Sequence, residues 1–199
     1  DHPRSETYRS WLLGEVLLVC LLASGTALFT ASDSLKAAYE LHDARLAFDT
    51  AVAVVAAFVC VLACVRFLVE GRTLDLLLAA GFWSIAVGTV AFELVPVLDG
   101  GSLSPAAAWQ LVGARLLGAG LIAIAPYADS RMSARRPALV AVGVGVAVLL
   151  VLAGVAVQIS LGGVLDAGLT TGAYVRLAAL LLTALWLVAV VGFAVRYRR

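Results

Sequence analysis

The sequence predicts an all-α protein, an integral membrane bundle of six transmembrane helices with both termini in the cytoplasm. Three observations predict it. Of the 199 residues, 63% are hydrophobic and only 14% charged, with a mean hydropathy of +1.04; soluble domains run at about 45–50% apolar and about 25% charged. Apolar runs of the roughly 20 residues that a helical span requires recur six times along the chain. The arginines between those runs alternate from one side to the other in the manner of cytoplasmic anchors. Six spans use roughly 120–130 residues, which leaves only tails and short loops. Residues 1–199 therefore read as a single transmembrane domain. A soluble enzyme, a disordered chain and a nucleic-acid binder are excluded by the same composition, since a net charge of +1 offers no field for polyanions.

The first span covers 11–30, after a short cytoplasmic tail of about residues 1–10. The chain begins at Asp1 and not Met, which predicts a processed or excised piece. The second span covers 46–65, on a helix starting near Ser34, with Ser32 to Ser34 available as caps. Gly71 suits a tight turn into the third span, 76–98, where Pro96 is expected to bend or end the helix. Asp99-Gly100-Gly101-Ser102 forms a short loop. The fourth span covers 106–127 and the fifth 137–159, with Pro105 and Pro137 placed for their first turns. The sixth covers 174–195 and runs into 196–199, read as the start of a cytoplasmic connector helix or as a plain positive anchor.

Direction follows from the arginines. Arg4 and Arg9, then Arg66 and Arg72, then Arg131, Arg135 and Arg136, then Arg196, Arg198 and Arg199 occupy alternate ends of successive spans. The opposite ends hold Asp33, Lys36, Glu40, Asp99 and Asp166, with one cationic residue among them. The arginine-rich ends are therefore expected inside.

Ionisable residues within spans are costly and face the bundle interior or water. At 1.5 Å per residue, Asp49, Glu93 and Arg176 lie roughly 25–30 Å above the cytoplasmic edge and Arg115 about 20 Å. His42, Arg45 and Asp49, spaced by three and four, share one helix face. These six residues are expected to form one polar cluster. Arg45 can reach Asp49, and Glu93 can pair with Arg115 or Arg176. Three arginines against two carboxylates leave an excess of about one positive charge, suited to a small anion, a carboxylate or a lipid headgroup. Ion pairs that only fix helix register are the structural alternative. Glu15 lies apart, near the other end of the first span.

Glycines and alanines are frequent in the fifth span (Gly143, Gly145, Ala147, Gly154) and the fourth (Gly113, Gly118, Gly120). They predict close helix contact and a dimer face. Cys20, Cys60 and Cys64 sit in apolar runs and read as buried packing residues.

Catalytic motifs are absent. The sequence has no phosphate loop, no HExxH and no GxSxG. The two histidines, His2 and His42, fall on opposite sides of the predicted membrane. No enzyme activity, metal site or cofactor is implied.

The stretch Leu41-His42-Asp43-Ala44-Arg45-Leu46-Ala47-Phe48-Asp49-Thr50 resembles a recurrent element of membrane-associated sensor (MASE-like) domains. These domains precede histidine kinase or diguanylate cyclase modules in bacteria, often actinobacteria. His42, Arg45, Asp49 and Thr50 match the element, although the family more often has Glu at the position of Asp49. The segment from Val65 to Ala80, and later Trp109, Ala114 to Leu117 and Arg135-Arg136, extend the similarity over about residues 36–136. The resemblance implies a sensory input domain in the bacterial inner membrane, acting as a homodimer on a cytoplasmic output module. A small transporter or channel subunit, or an anchor subunit of a larger complex, is the alternative. Expected partners are the lipid bilayer, a second copy of the chain and a small anionic or lipid ligand.

Overall fold

The structure, a computed structural model, describes residues 42–98, 105–128, 130, 137–161 and 172–198. The chain splits into two compact units, Asp1–Ala47 and Phe48–Arg199. Of the first unit only 42–47 are described, as the opening of a helix. The predicted first span, the Ser32 to Ser34 cap, the Asp99 to Ser102 loop and the Arg131 to Arg136 segment lie outside the described residues. Among the described residues the regular elements are helical. Five stretches are long and apolar enough to cross a membrane: Leu46–Glu70, Thr73–Leu98, Pro105–Tyr127, Pro137–Ile159 and Arg176–Arg196.

Helix α1, His42–Glu70, is longer at both ends than its apolar run. It stops where Gly71 adopts φ 63° and returns its N–H to Phe67 O at 2.8 Å. That left-handed cap costs glycine nothing and satisfies a terminal carbonyl. Helix α2, Thr73–Thr89, follows at once, with Asp75 in its first turn, where the helix dipole favours an acid. The helix then widens into a π turn, Val90–Leu94, and closes as the short α3, Val95–Leu98. Pro96, expected from the sequence to bend or end the span, lies in the last described turn of this segment, just after the π turn. Proline cannot donate to the carbonyl four residues back, and its ring crowds that turn. The wider turn absorbs the conflict, with Val95 N–H bonding Val90 O.

Helix α4, Pro105–Ile124, starts on its proline as expected and tightens into a 3-10 turn, Ala125–Tyr127. Helix α5, Pro137–Leu161, and helix α6, Gly172–Arg198, complete the described chain.

The core is the seam between α2 and α4. Buried residues of α4 recur as Ala107, Leu111, Ala114, Gly118 and Ile122, one stripe of a 3.6-residue helix. They meet Gly81, Ser84, Ile85 and Gly88 of α2. A Cβ on Gly81 would stand 2.9 Å from Gly118 O, and one on Gly118 would stand 2.7 Å from Gly81 O. The backbones thus touch without intervening side chains, as helix packing in lipid favours. Ser84 Oγ donates to Ala114 O at 2.9 Å inside this seam. Around it, Val148 and Leu152 of α5 pack with Ala80 and Ala114. Ala189 of α6 and Ala56 of α1 pack with Ile85, Ala86, Ile122 and Ala123.

The outward faces of α1, α5 and α6 expose large apolar side chains such as Phe58, Leu150 and Leu180. Such faces suit lipid and not water. The glycines of α5 do not make the close contacts the sequence suggested. Gly143 and Gly154 have nothing within 4 Å of an added Cβ. The tight approach lies one helix pair earlier, where glycines of two neighbouring helices coincide in register.

Gly88→Val is expected to destabilise the fold by about 1–3 kcal/mol through overpacking, because its Cβ would collide with Ala114 Cβ. Gly143→Ala should be neutral or stabilising. Reversible unfolding in detergent, read by near-UV circular dichroism, checks both.

Candidate functional site

Three helical segments bring ionisable side chains together at one end of the bundle. Asp49 stands in the first turns of α1, Glu93 in the π turn and Arg115 midway along α4. Arg115 Nη2 donates to Asp49 Oδ1 and to Glu93 Oε2, both at 3.2 Å. Asp49 is buried, Glu93 is 3% exposed and the Arg115 side chain is 35% exposed.

Each partner has a local cause. Buried positions on α1 step through Asp49, Ala53, Ala56, Cys60, Ala63 and Phe67, so Asp49 is the polar head of an otherwise apolar inward stripe. Glu93 reaches the interior because the π turn inserts extra backbone and re-aims the side chains after Thr89. Arg115 follows the buried Ala114 and leans toward the start of α4, the direction in which helical side chains tilt. Its Cα is ten residues from Pro105, about 15 Å along the helix.

Among the described side chains, part of the predicted cluster is present. Asp49, Glu93 and Arg115 are joined. Arg176 is exposed, and no ion pair joins it to the triad among the described residues. The reason is register. Ala178 is the α6 residue turned inward, and Arg176, two residues earlier, lies about 200° around the helix from it. His42 and Arg45 occupy the opening of α1; their side chains lie outside the described residues, so the expected Arg45–Asp49 contact does too. Within the triad, one guanidinium faces two carboxylates.

A groove of about 310 Å³ opens beside the triad between α4 and α6. Its lining is apolar apart from Arg115, and includes Ala108, Trp109, Ala178, Ala179 and Leu182.

The other end of the bundle carries a network that sequence reasoning missed. Arg66 lies 3.8 Å from both Glu70 and Asp75, and Arg72 Nε lies 2.8 Å from Glu70. Asp75 is 1% exposed, and its Oδ2 has no hydrogen-bond partner among the described residues. Thr73 N–H and Oγ1 both donate to Ser130 O, tying the α1–α2 turn to the chain beyond α4. Arg196 Nη1 donates to Pro126 O at 2.8 Å and Ala128 O at 3.0 Å. These carbonyls have no helical partners, and a cation there also complements the end of α4. Gly192 lets α6 come this close, since a Cβ there would stand 3.1 Å from Pro126 Cβ. The Arg66–Glu70 spacing was a visible signal; the reach of Arg196 to backbone carbonyls 70 residues earlier was not.

Arg115→Ala is expected to cost about 3–5 kcal/mol, because two buried carboxylates lose their shared cation. Combining Arg115→Met with Asp49→Asn and Glu93→Gln should restore most of that loss. Thermal unfolding of the two variants beside wild type checks this. No family model, curated protein or solved structure matches the chain.

Proposed function

We propose that this chain is the sensory input domain of a bacterial signal-transduction protein. It sits in the inner membrane as six transmembrane helices with both termini in the cytoplasm, and acts as a homodimer on a cytoplasmic output module. The observation that carries the reading is the equal sharing of Arg115 between Asp49 and Glu93. Arg115 Nη2 has two N–H groups, one for each acid, so two arrangements follow, one with α1 and the π turn bridged and one with an acid released. A stimulus that favours either arrangement shifts the equilibrium between them. Helix α4 carries Arg115, and at its far end it holds α6 through Arg196. A 1–2 Å helix shift of the usual switching size therefore has a rigid path to the last helix. The resemblance of 41–50 to MASE-like sensor domains supports the same reading.

Asp49→Asn removes one of the two bridged anions and is expected to hold the chain in the released arrangement, with Arg115 on Glu93 alone. Spin labels on the exposed Ile124 and Leu187, in a cysteine-free background, should then report a narrowed distance distribution shifted by about 1–2 Å. An unchanged distribution, with unchanged signalling output of the full gene product, overturns the reading. Arg196→Ala should leave the triad intact and uncouple it from α6, so that Asp49→Asn no longer moves the labels. Proteoliposome flux of an anion or proton that depends on Glu93 or Arg115 would assign the triad to transport instead.

A further inference from the structure

We propose that the groove between α4 and α6 is a phospholipid site, with one acyl chain in the groove and the phosphodiester at its mouth, held by Arg115 and Arg176. The inference rests on the sensory reading only in giving its arginine a ligand, and its test reads binding alone.

Arg115 has five N–H groups in a planar fork. Both of its bonds to the triad leave from Nη2. The three N–H groups on Nη1 and Nε have no hydrogen-bond acceptor among the described residues, and the side chain is 35% exposed on the groove it lines. Arg176 stands above the same groove. It is exposed, and it precedes the groove residue Ala179 by three positions, which puts the two on one face of α6. Its guanidinium has no hydrogen bond or ion pair among the described residues. Two arginines with unused N–H groups therefore belong to one groove.

Depth places both at the lipid headgroups. Asp49 is three residues from the start of its span, Leu46–Glu70, and Glu93 five from the end of its own, Thr73–Leu98. The Arg115 guanidinium, which meets both, therefore lies about 5–8 Å from those span ends. The 26 residues of Thr73–Leu98 run about 39 Å, against a hydrocarbon layer about 30 Å thick. Each end projects about 4–5 Å past that layer, so the guanidinium sits close to the hydrocarbon boundary, where glycerol esters and phosphates begin. Arg176 opens its own span, Arg176–Arg196.

From that level the groove runs inward. Ala179 is three residues into its span and Leu182 six, while Leu116 is eleven from Pro105, a descent from about 5 Å to about 16 Å below the helix ends. Apart from Arg115 the lining is apolar, and the volume is about 310 Å³, at the lower end of small-molecule clefts, about 300–1,000 Å³. Strong donors at the boundary with an apolar slot beneath them match an amphiphile standing along the bundle. They match neither a free ion nor a molecule dissolved wholly in hydrocarbon. The head of that amphiphile must accept from two separate cations. The unesterified oxygens of a phosphodiester accept charge-assisted hydrogen bonds from both, and the planar fork of arginine suits them. The acids of the triad lie on the Nη2 side of Arg115, and Arg176 adds a cation with no acidic partner among the described residues.

The test uses the whole chain in detergent micelles, stripped of lipid, with dioleoyl phosphatidylglycerol as probe and native mass spectrometry as readout. A single equivalent is expected to bind saturably. Ala179→Phe fills the slot and leaves both arginines and the triad in place, whereas Arg176→Gln removes one of the two cations and leaves the slot. Each should raise the Kd at least about tenfold, a 1.4 kcal/mol loss. Absence of saturable binding, or an unchanged Kd in either variant, overturns the proposal. Displacement by palmitate at equal concentration overturns it in favour of a fatty acid, and displacement by inorganic phosphate in favour of a free anion. Should Ala179→Phe fail to fold, photolabelling of wild type with a phosphatidylglycerol carrying a diazirine in its acyl chain decides. Adducts within 108–116 or 178–182 support the site; adducts on other helix faces, or spread over all of them, refute it. Saturable binding beside unchanged spin-label distances in Asp49→Asn would keep this site and remove the sensory reading; shifted distances without binding would do the opposite.

Discussion

Along the α2–α4 seam, Gly81, Gly88, Ala114 and Gly118 bring two helix backbones into direct contact. The position of Arg115 depends on that contact. Ala114, the residue before it, is fully buried against α2. A seam held apart by ordinary side chains would carry the guanidinium away from Glu93, and α1 would lose the cation that satisfies Asp49. In lipid, where burial of apolar surface supplies no drive between helices, contact of this kind and the polar bonds it permits are what hold a bundle together. Ser84 adds one such bond at the centre of the seam.

The π turn at Val90–Leu94 links backbone chemistry to the site. Its origin is a proline two residues later, which removes a hydrogen bond and crowds a turn. Its consequence is that Glu93 points inward, 3% exposed, toward Arg115. A regular helix would carry the same glutamate to a different angle. The irregularity that satisfies Pro96 is therefore also what completes the triad.

The two ends of the bundle differ in kind. At the triad end, two buried carboxylates from two segments each accept one N–H of a single guanidinium nitrogen on a third. At the opposite end, Arg196 grips two backbone carbonyls and Thr73 holds Ser130. Main-chain carbonyls do not titrate, so these acceptors keep the same charge at every pH. Arg115 lies within α4 and the Pro126 and Ala128 carbonyls just beyond its end, so one continuous segment joins the two ends.

Hydropathy alone determined that the chain is helical and apolar enough to cross a membrane, because a 20-residue apolar run has only one way to satisfy its backbone in lipid. It also located the helix starts at Pro105 and Pro137, the Gly71 cap, and the identity of Asp49, Glu93 and Arg115 as the costly residues. Those are local facts, written in residue type and spacing. Which residues meet was decided by tertiary structure. Arg176 looked equivalent to Arg115 because both are lone arginines in apolar runs; only the rotation of α6 about its axis turns one outward and leaves the other inward. The glycines of α5 looked like a packing stripe as good as that of α4, but close approach needs small residues on both helices at matching heights, and only α2 supplies them. Helix rotation and register are set by neighbours distant in sequence, and a single apolar run carries almost no record of either.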